Sequence, residues 1–86
     1  MNYTVNISKV VKKQILKLPV FTIKEIYKEL KSLETNPFPD GYIKLKGFEN
    51  YYRIRVGNYR ILYEVYKQEL IIKVVRVAHR KDVYRL

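Results

Sequence analysis

Tyr51-Tyr-Arg-Ile-Arg-Val-Gly-Asn-Tyr-Arg-Ile-Leu-Tyr-Glu-Val65 alternates apolar and polar residues with period two on both sides of Gly57-Asn58. This is the pattern of two antiparallel strands joined by a two-residue turn, and glycine at the first central position suits type II′. With Gly57 and Asn58 as the loop, Val56 pairs with Tyr59, Arg55 with Arg60, Ile54 with Ile61 and Arg53 with Leu62. One face then carries Tyr52, Ile54, Val56, Tyr59, Ile61, Tyr63 and Val65. The other carries Tyr51, Arg53, Arg55, Arg60 and Glu64. Like charges directly opposite each other destabilise a sheet, so Arg55 facing Arg60 asks for a compensating anion. Phosphate fits, because guanidinium groups bind it bidentately and stay charged at any working pH. A hydrated surface on which the two side chains splay apart is the structural alternative.

Working outward, Tyr3, Val5 and Ile7 alternate with polar neighbours as a short first strand. Ser8 is placed to cap a helix with Val11, Ile15 and Leu18 on one face, and Pro19 stops it. Thr22-Ile-Lys-Glu25 reads as a capping box opening a second helix, with Ile23, Ile26, Tyr27, Leu30 and Leu33 aligned, running to about Asn36. Asn36-Pro-Phe-Pro-Asp-Gly41 is a loop. Ile43 and Leu45 then alternate with Lys44 and Lys46 ahead of the hairpin. Tyr66-Lys-Gln-Glu69 is a second reversal, and Leu70 to Ala78 is an apolar strand expected to be interior. A slip of one residue in that reversal exchanges the faces of Lys73 and Arg76, so neither is assigned. From His79 a polar tail containing Tyr84 leaves the sheet and is expected to approach the arginine face. The order strand, helix, helix, strands predicts an α+β fold: a small antiparallel sheet with an N-terminal helical hairpin on one face, in a single domain spanning residues 1–86.

The chain has 86 residues, no cysteine and 18 Lys and Arg against 8 Asp and Glu, for a net charge of +10. A field of this sign favours polyanionic partners, nucleic acid first and an acidic protein segment second. With no long apolar run and no signal-peptide layout, a soluble, cytoplasmic protein is expected, with no membrane partner. Zinc ligation lacks cysteine and has one histidine, the carboxylates form no Mg²⁺ cluster, and the isolated glycines make no phosphate loop. No metal and no cofactor are expected. What remains is metal-free chemistry on a phosphodiester. RNA carries its own nucleophile, the 2′-OH, which must be aligned and deprotonated while the phosphorane is neutralised and the 5′ oxygen protonated. Clustered arginines supply the neutralisation, and Tyr84 or His79 are the candidates for proton transfer.

Lys44-Leu-Lys-Gly47, Tyr52-Arg-Ile-Arg-Val-Gly-Asn-Tyr-Arg-Ile-Leu-Tyr63 and Val75-Arg-Val-Ala-His-Arg-Lys-Asp-Val-Tyr84, in that order and spacing, resemble the RelE toxins of bacterial and archaeal toxin–antitoxin systems. The resemblance covers almost the whole chain and implies a RelE-like fold. It implies metal-independent mRNA cleavage in the ribosomal A site, by 2′-OH attack that leaves a 2′,3′-cyclic phosphate. It assigns Arg53, Arg55, Arg60, Arg80 and Tyr84 to catalysis, with arginines at 53 and 55 where well-studied relatives hold lysines. Lys44, Lys46 and His79 are the candidate RNA contacts. The implied partners are mRNA and ribosomal RNA, an acidic cognate antitoxin, and operator DNA through that antitoxin alone. Two alternatives come from other classes: a ParE-like, non-enzymatic inhibitor of DNA gyrase, and an inactive basic domain that binds an antitoxin.

Overall fold

The computed structural model describes residues 2–84; Met1, Arg85 and Leu86 lie outside it. Its elements run β1 (Thr4–Ile7), α1 (Lys9–Leu16), α2 (Val20–Ser32), β2 (Ile43–Lys44), β3 (Tyr51–Val56), β4 (Tyr59–Tyr66) and β5 (Ile71–His79). The strands form one sheet in the order β1-β5-β4-β3-β2. Neighbours are antiparallel except for β1, which joins β5 in parallel and makes the sheet mixed. Between those two strands in the chain stand both helices and the meander from β2 to β4, so geometry does not force them to be antiparallel, as a tight hairpin would.

The arginine hairpin pairs as its alternation requires: Val56 with Tyr59, Arg55 with Arg60, Ile54 with Ile61 and Arg53 with Leu62. Gly57 has φ +59°, and Asn58 is not among the described residues of positive φ, the combination a type II′ turn needs. The second reversal is a four-residue loop, because Tyr66 pairs with Ile71. Its last residue, Leu70, takes φ +56°, a left-handed conformation disfavoured by a Cβ. Its carbonyl receives the Thr4 N–H at 2.8 Å and so ties the loop to β1.

The Ser8 side chain accepts from the Val11 N–H at 3.2 Å and caps α1. The second helix begins earlier than its capping box indicates. Pro19 is the N-cap, with no side-chain hydrogen bond, and Thr22 already lies inside the helix. Proline is tolerated in this first turn, where an N–H has no intrahelical partner. Ordered helix ends at Ser32, while turn-type bonds from Glu34, Thr35 and Asn36 carry the coil on to Asn36.

Val11 and Ile15 of α1, and Ile26, Leu30 and Leu33 following α2's apolar face, pack on Tyr52, Ile54, Ile61, Tyr63, Val65, Ile72, Val74 and Val77 of the sheet. Tyr63 is fully buried there, and its hydroxyl donates to the Pro37 carbonyl at 2.7 Å, fastening the Pro-rich loop to the sheet. Burial pushes the Tyr63 phenol far above its usual range, with neighbouring Tyr52 and Glu29 adding to the effect. Among the described residues no helix is long and apolar enough to cross a membrane.

Candidate active site

The sheet face away from the helices is built by register. Tyr51, Arg53 and Arg55 project from β3, and their partners on β4 are Glu64, Leu62 and Arg60. On β5, Ala78 stands opposite Arg60, Arg76 opposite Leu62 and Lys73 opposite Glu64. The face therefore has an arginine half, near the Gly57 turn, and a half centred on Leu62.

Arg60 is buried, at 8% exposure. Its Nη1 donates to the carbonyls of Gly57 at 3.3 Å and Tyr59 at 3.1 Å, so the turn backbone holds the guanidinium in place. Burial lowers its pKa most, followed by the charges of Arg55, Arg53 and Arg80, while Tyr84 opposes them. Four cations and one phenol thus share one electrostatic neighbourhood. Arginine remains charged throughout, so the lowering expresses a site in which positive charge is held against repulsion. An anion would relieve it.

Arg53 Nη1 donates to the Tyr84 hydroxyl at 3.2 Å, and its buried Nε has no hydrogen-bond partner. This contact spans 31 residues of sequence and depends on how the tail is folded. The Arg80 N–H donates to the Asn58 carbonyl at 2.8 Å and keeps the chain beside the hairpin turn. The N–H groups of Asp82 and Val83 then bond to the His79 carbonyl, forming a helical turn. Val83 is 1% exposed, and Arg76 Nη2 donates to the Asp82 carbonyl at 3.2 Å. With an apolar side chain buried and its backbone held by Arg76, the turn presents Tyr84 to Arg53.

Of the residues singled out from the sequence, Arg53, Arg55, Arg60, Arg80 and Tyr84 come together. His79 and Lys44 do not join them. His79 pairs with Tyr59, and its ring meets the Tyr59 ring edge-on at 5.4 Å between centroids, on the helix-covered side. Its Nδ1 accepts the Lys81 N–H at 3.2 Å. Lys44 stands opposite Tyr52 and so also belongs to the helix-covered side, at the sheet edge. Both follow from the period of two: the arginine phase of the sheet excludes them. Lys46 lies exposed in the loop after β2.

Two features escaped the sequence reading. One is Arg76, which positions the tail: the length of the second reversal leaves its face open in the sequence, and the structure sets it through a bulge that the alternation does not announce, where β4 shifts register between Leu62 and Tyr63, whose partners are Arg76 and Val74. Val75 is the extra residue. Lys73 and Arg76, three apart, consequently face the same way, where a regular strand would oppose them. The second feature is the small apolar cluster around Leu62 and Val83. Its signal was present in Leu62, an apolar residue in the polar phase of β4.

Over residues 5–84 the chain matches the family described as ParE toxin of type II toxin-antitoxin system, parDE. A candidate toxin of Methanocaldococcus jannaschii, RelE1, is 32% identical over 88 residues, covering 99% of this chain and 98% of that one. Among solved structures, a chain of the archaeal RelE-RelB complex from Pyrococcus horikoshii OT3 is similar with TM-score 0.84 and 32% identity, covering 96% of this chain and 100% of that one. A chain of the RelB-RelE antitoxin-toxin complex from Methanococcus jannaschii is similar with TM-score 0.75 and 34% identity, covering 92% and 94%. The arginine-bearing hairpin, the helical pair on its opposite face and these full-length likenesses agree: the chain belongs to the RelE/ParE superfamily, as a RelE-family toxin of type II toxin–antitoxin systems.

Proposed function

We propose that this toxin is a metal-independent endoribonuclease that cuts mRNA in the ribosomal A site. The observation that carries the reading is the convergence of Arg53, Arg55, Arg60 and Arg80 beside the Tyr84 phenol, which contacts Arg53 at 3.2 Å. In the reaction, the 2′ oxygen of the substrate attacks the adjacent phosphorus as its proton is removed. The bond to the 5′ oxygen breaks, leaving a 2′,3′-cyclic phosphate on one fragment and a protonated 5′-hydroxyl on the other. Arg60, fixed by the turn carbonyls, and Arg53 and Arg55 stabilise the dianionic phosphorane; Arg80 holds the neighbouring backbone. Tyr84 is the proton-transfer residue, since the arginines are too basic for that role and its hydroxyl is the acid–base group in contact with Arg53.

RelB accompanies RelE in the P. horikoshii and M. jannaschii complexes. By the same logic an acidic, RelB-type antitoxin is the partner of this chain, matching its +10 charge. Mapping RNA ends in a reconstituted translation reaction tests the activity: discrete A-site cuts ending in cyclic phosphate are expected, and intact message at stoichiometric toxin refutes it. The ParE family match supports a second reading, gyrase inhibition by binding. Trapped gyrase–DNA complexes alongside intact mRNA are its distinguishing result.

A further inference from the structure

Of the nine tyrosines in the chain, Tyr84, Tyr42 and Tyr27 are exposed, at 56%, 43% and 40%. Their surroundings differ. Tyr42 belongs to an aromatic cluster, with its ring 5.3 Å from that of Phe38 and 6.0 Å from that of Tyr52. Tyr27 lies on α2 in a groove shared with Val5, Ile7 and Leu30. Tyr84 sets its hydroxyl against a guanidinium, accepting from Arg53 Nη1 at 3.2 Å. Arg60 feels this phenol together with the charges of Arg55, Arg53 and Arg80. A solvent-accessible hydroxyl therefore stands at the margin of a site already suited to phosphate.

We propose that Tyr84 is a phosphorylation site, and that the phosphate ester it carries fills the arginine cluster as an internal anion and shuts the toxin off. The anion binding follows from the geometry; the loss of activity rests on the ribonuclease reading. In the modification, the phenolic oxygen attacks the γ-phosphorus of ATP on a tyrosine kinase. The bond from that phosphorus to the bridging oxygen breaks, ADP leaves, and the phenolic proton passes to a base of the kinase. The ester brings about −1.5 to −2 charge at pH 7 and three acceptor oxygens. Its point of attachment is the oxygen that already meets Arg53, whose Nε has no hydrogen-bond partner. The added charge falls where Arg53, Arg55, Arg60 and Arg80 share one electrostatic neighbourhood. Phosphorylation opposite an arginine cluster orders the segment that bears it. Here that segment is the helical turn after His79, anchored by buried Val83. Because the ester is part of the chain, it meets the cluster at an effective concentration of roughly millimolar or more. The same event removes the free hydroxyl that moves the proton.

The test uses the whole chain with phosphotyrosine installed in place of Tyr84 by genetic code expansion, and the same ester in place of Tyr42 as the reference. The ester at position 84 is expected to raise Tm in low salt by roughly 4–8 °C. Its second ionisation, followed by ³¹P NMR, should fall at least about one pH unit below the usual value of about 6, while the ester at position 42 keeps that value. Arg55→Gln should reduce both effects. Inorganic phosphate should stabilise the unmodified chain and leave the chain modified at Tyr84 unchanged. An ester at 84 that titrates like the one at 42 and leaves Tm unaltered overturns the internal anion. Separately, ATP and a broad-specificity tyrosine kinase should label Tyr84 of the folded chain ahead of Tyr27 and Tyr42, as read by phosphopeptide mass spectrometry. Labelling of those two without Tyr84 overturns the modification site. None of these measurements involves RNA, so their failure leaves the ribonuclease reading to its own test by end mapping. In that assay, a chain phosphorylated at Tyr84 that cuts as fast as the unmodified one overturns the inhibition.

Discussion

Arg60→Met should stabilise the protein while ending its activity. In the folded state Arg60 is 8% exposed and feels the charges of Arg55, Arg53 and Arg80. Directly opposed strand residues have Cβ atoms roughly 5 Å apart. Splayed side chains place their charges at about 7 Å, where repulsion is about 0.6 kcal/mol in water and about 2.4 kcal/mol at an effective dielectric of 20. Arg55 is exposed, so its contribution lies nearer the lower figure, and the three neighbours together amount to about 1–2 kcal/mol. Replacing a buried charge by an apolar side chain of similar volume adds a comparable gain. Against this stand the bonds to the Gly57 and Tyr59 carbonyls, together worth about 1–2 kcal/mol. The net gain is about 1 kcal/mol, which raises Tm by roughly 4–8 °C in a domain of this size. Thermal unfolding followed by circular dichroism at low salt measures it. In about 1 M salt, where the Debye length is about 3 Å, the advantage should shrink markedly, and phosphate should stabilise the unmodified protein more than the variant. A variant that melts at or below the unmodified protein in low salt, or a difference that salt does not touch, refutes the view that these arginines are held together against repulsion.

Tyr84→Phe loses one exposed hydrogen bond to Arg53, so stability should change by less than about 0.5 kcal/mol, while single-turnover cleavage falls by roughly 10²-fold or more if the phenol moves the proton. Val83→Ala empties a buried position under the tail and should cost about 1.5–2.5 kcal/mol in denaturant unfolding, with cleavage declining because Tyr84 loses its support. Ser8→Ala should cost about 1 kcal/mol, whereas Thr22→Ala should cost nothing and can gain a few tenths, since Ser8 caps α1 while Thr22 lies inside α2, where alanine is the better helix former. For Tyr63, the fold holds the protonated phenol above the unfolded value of about 10. Its contribution is complete below pH about 10 and is lost as pH rises above that value, because the unfolded chain then releases a proton that the folded chain retains. Tyr63→Phe should flatten the alkaline limb of the stability profile while lowering neutral stability by about 1–2 kcal/mol through the orphaned Pro37 carbonyl.

Alternation and turn chemistry made the hairpin legible: Gly57 selects the turn, the turn selects the register, and the register sets Arg55 against Arg60. The helical pair was visible in its apolar spacing, although the Thr22 capping signal pointed to the wrong start because Pro19 opens the helix a turn earlier. His79 misled for a related reason. Its place next to the tail says nothing about its face, which the pairing with Tyr59 decides.

By itself the sequence determined the elements and the arginine face, because those depend on interactions between near neighbours: side-chain period, turn conformation and capping. Only tertiary structure decided that β1 runs parallel to β5, that the extra residue Val75 turns Arg76 to the same side as Lys73, and that the tail folds back to set Tyr84 on Arg53. Each of these joins segments far apart in the chain. The return of the tail rests on burial of Val83 and on the Arg76 bond to the Asp82 carbonyl, while Gln14 takes up the Val77 N–H beyond the end of β1, contacts made by the packed whole rather than by any local run of residues.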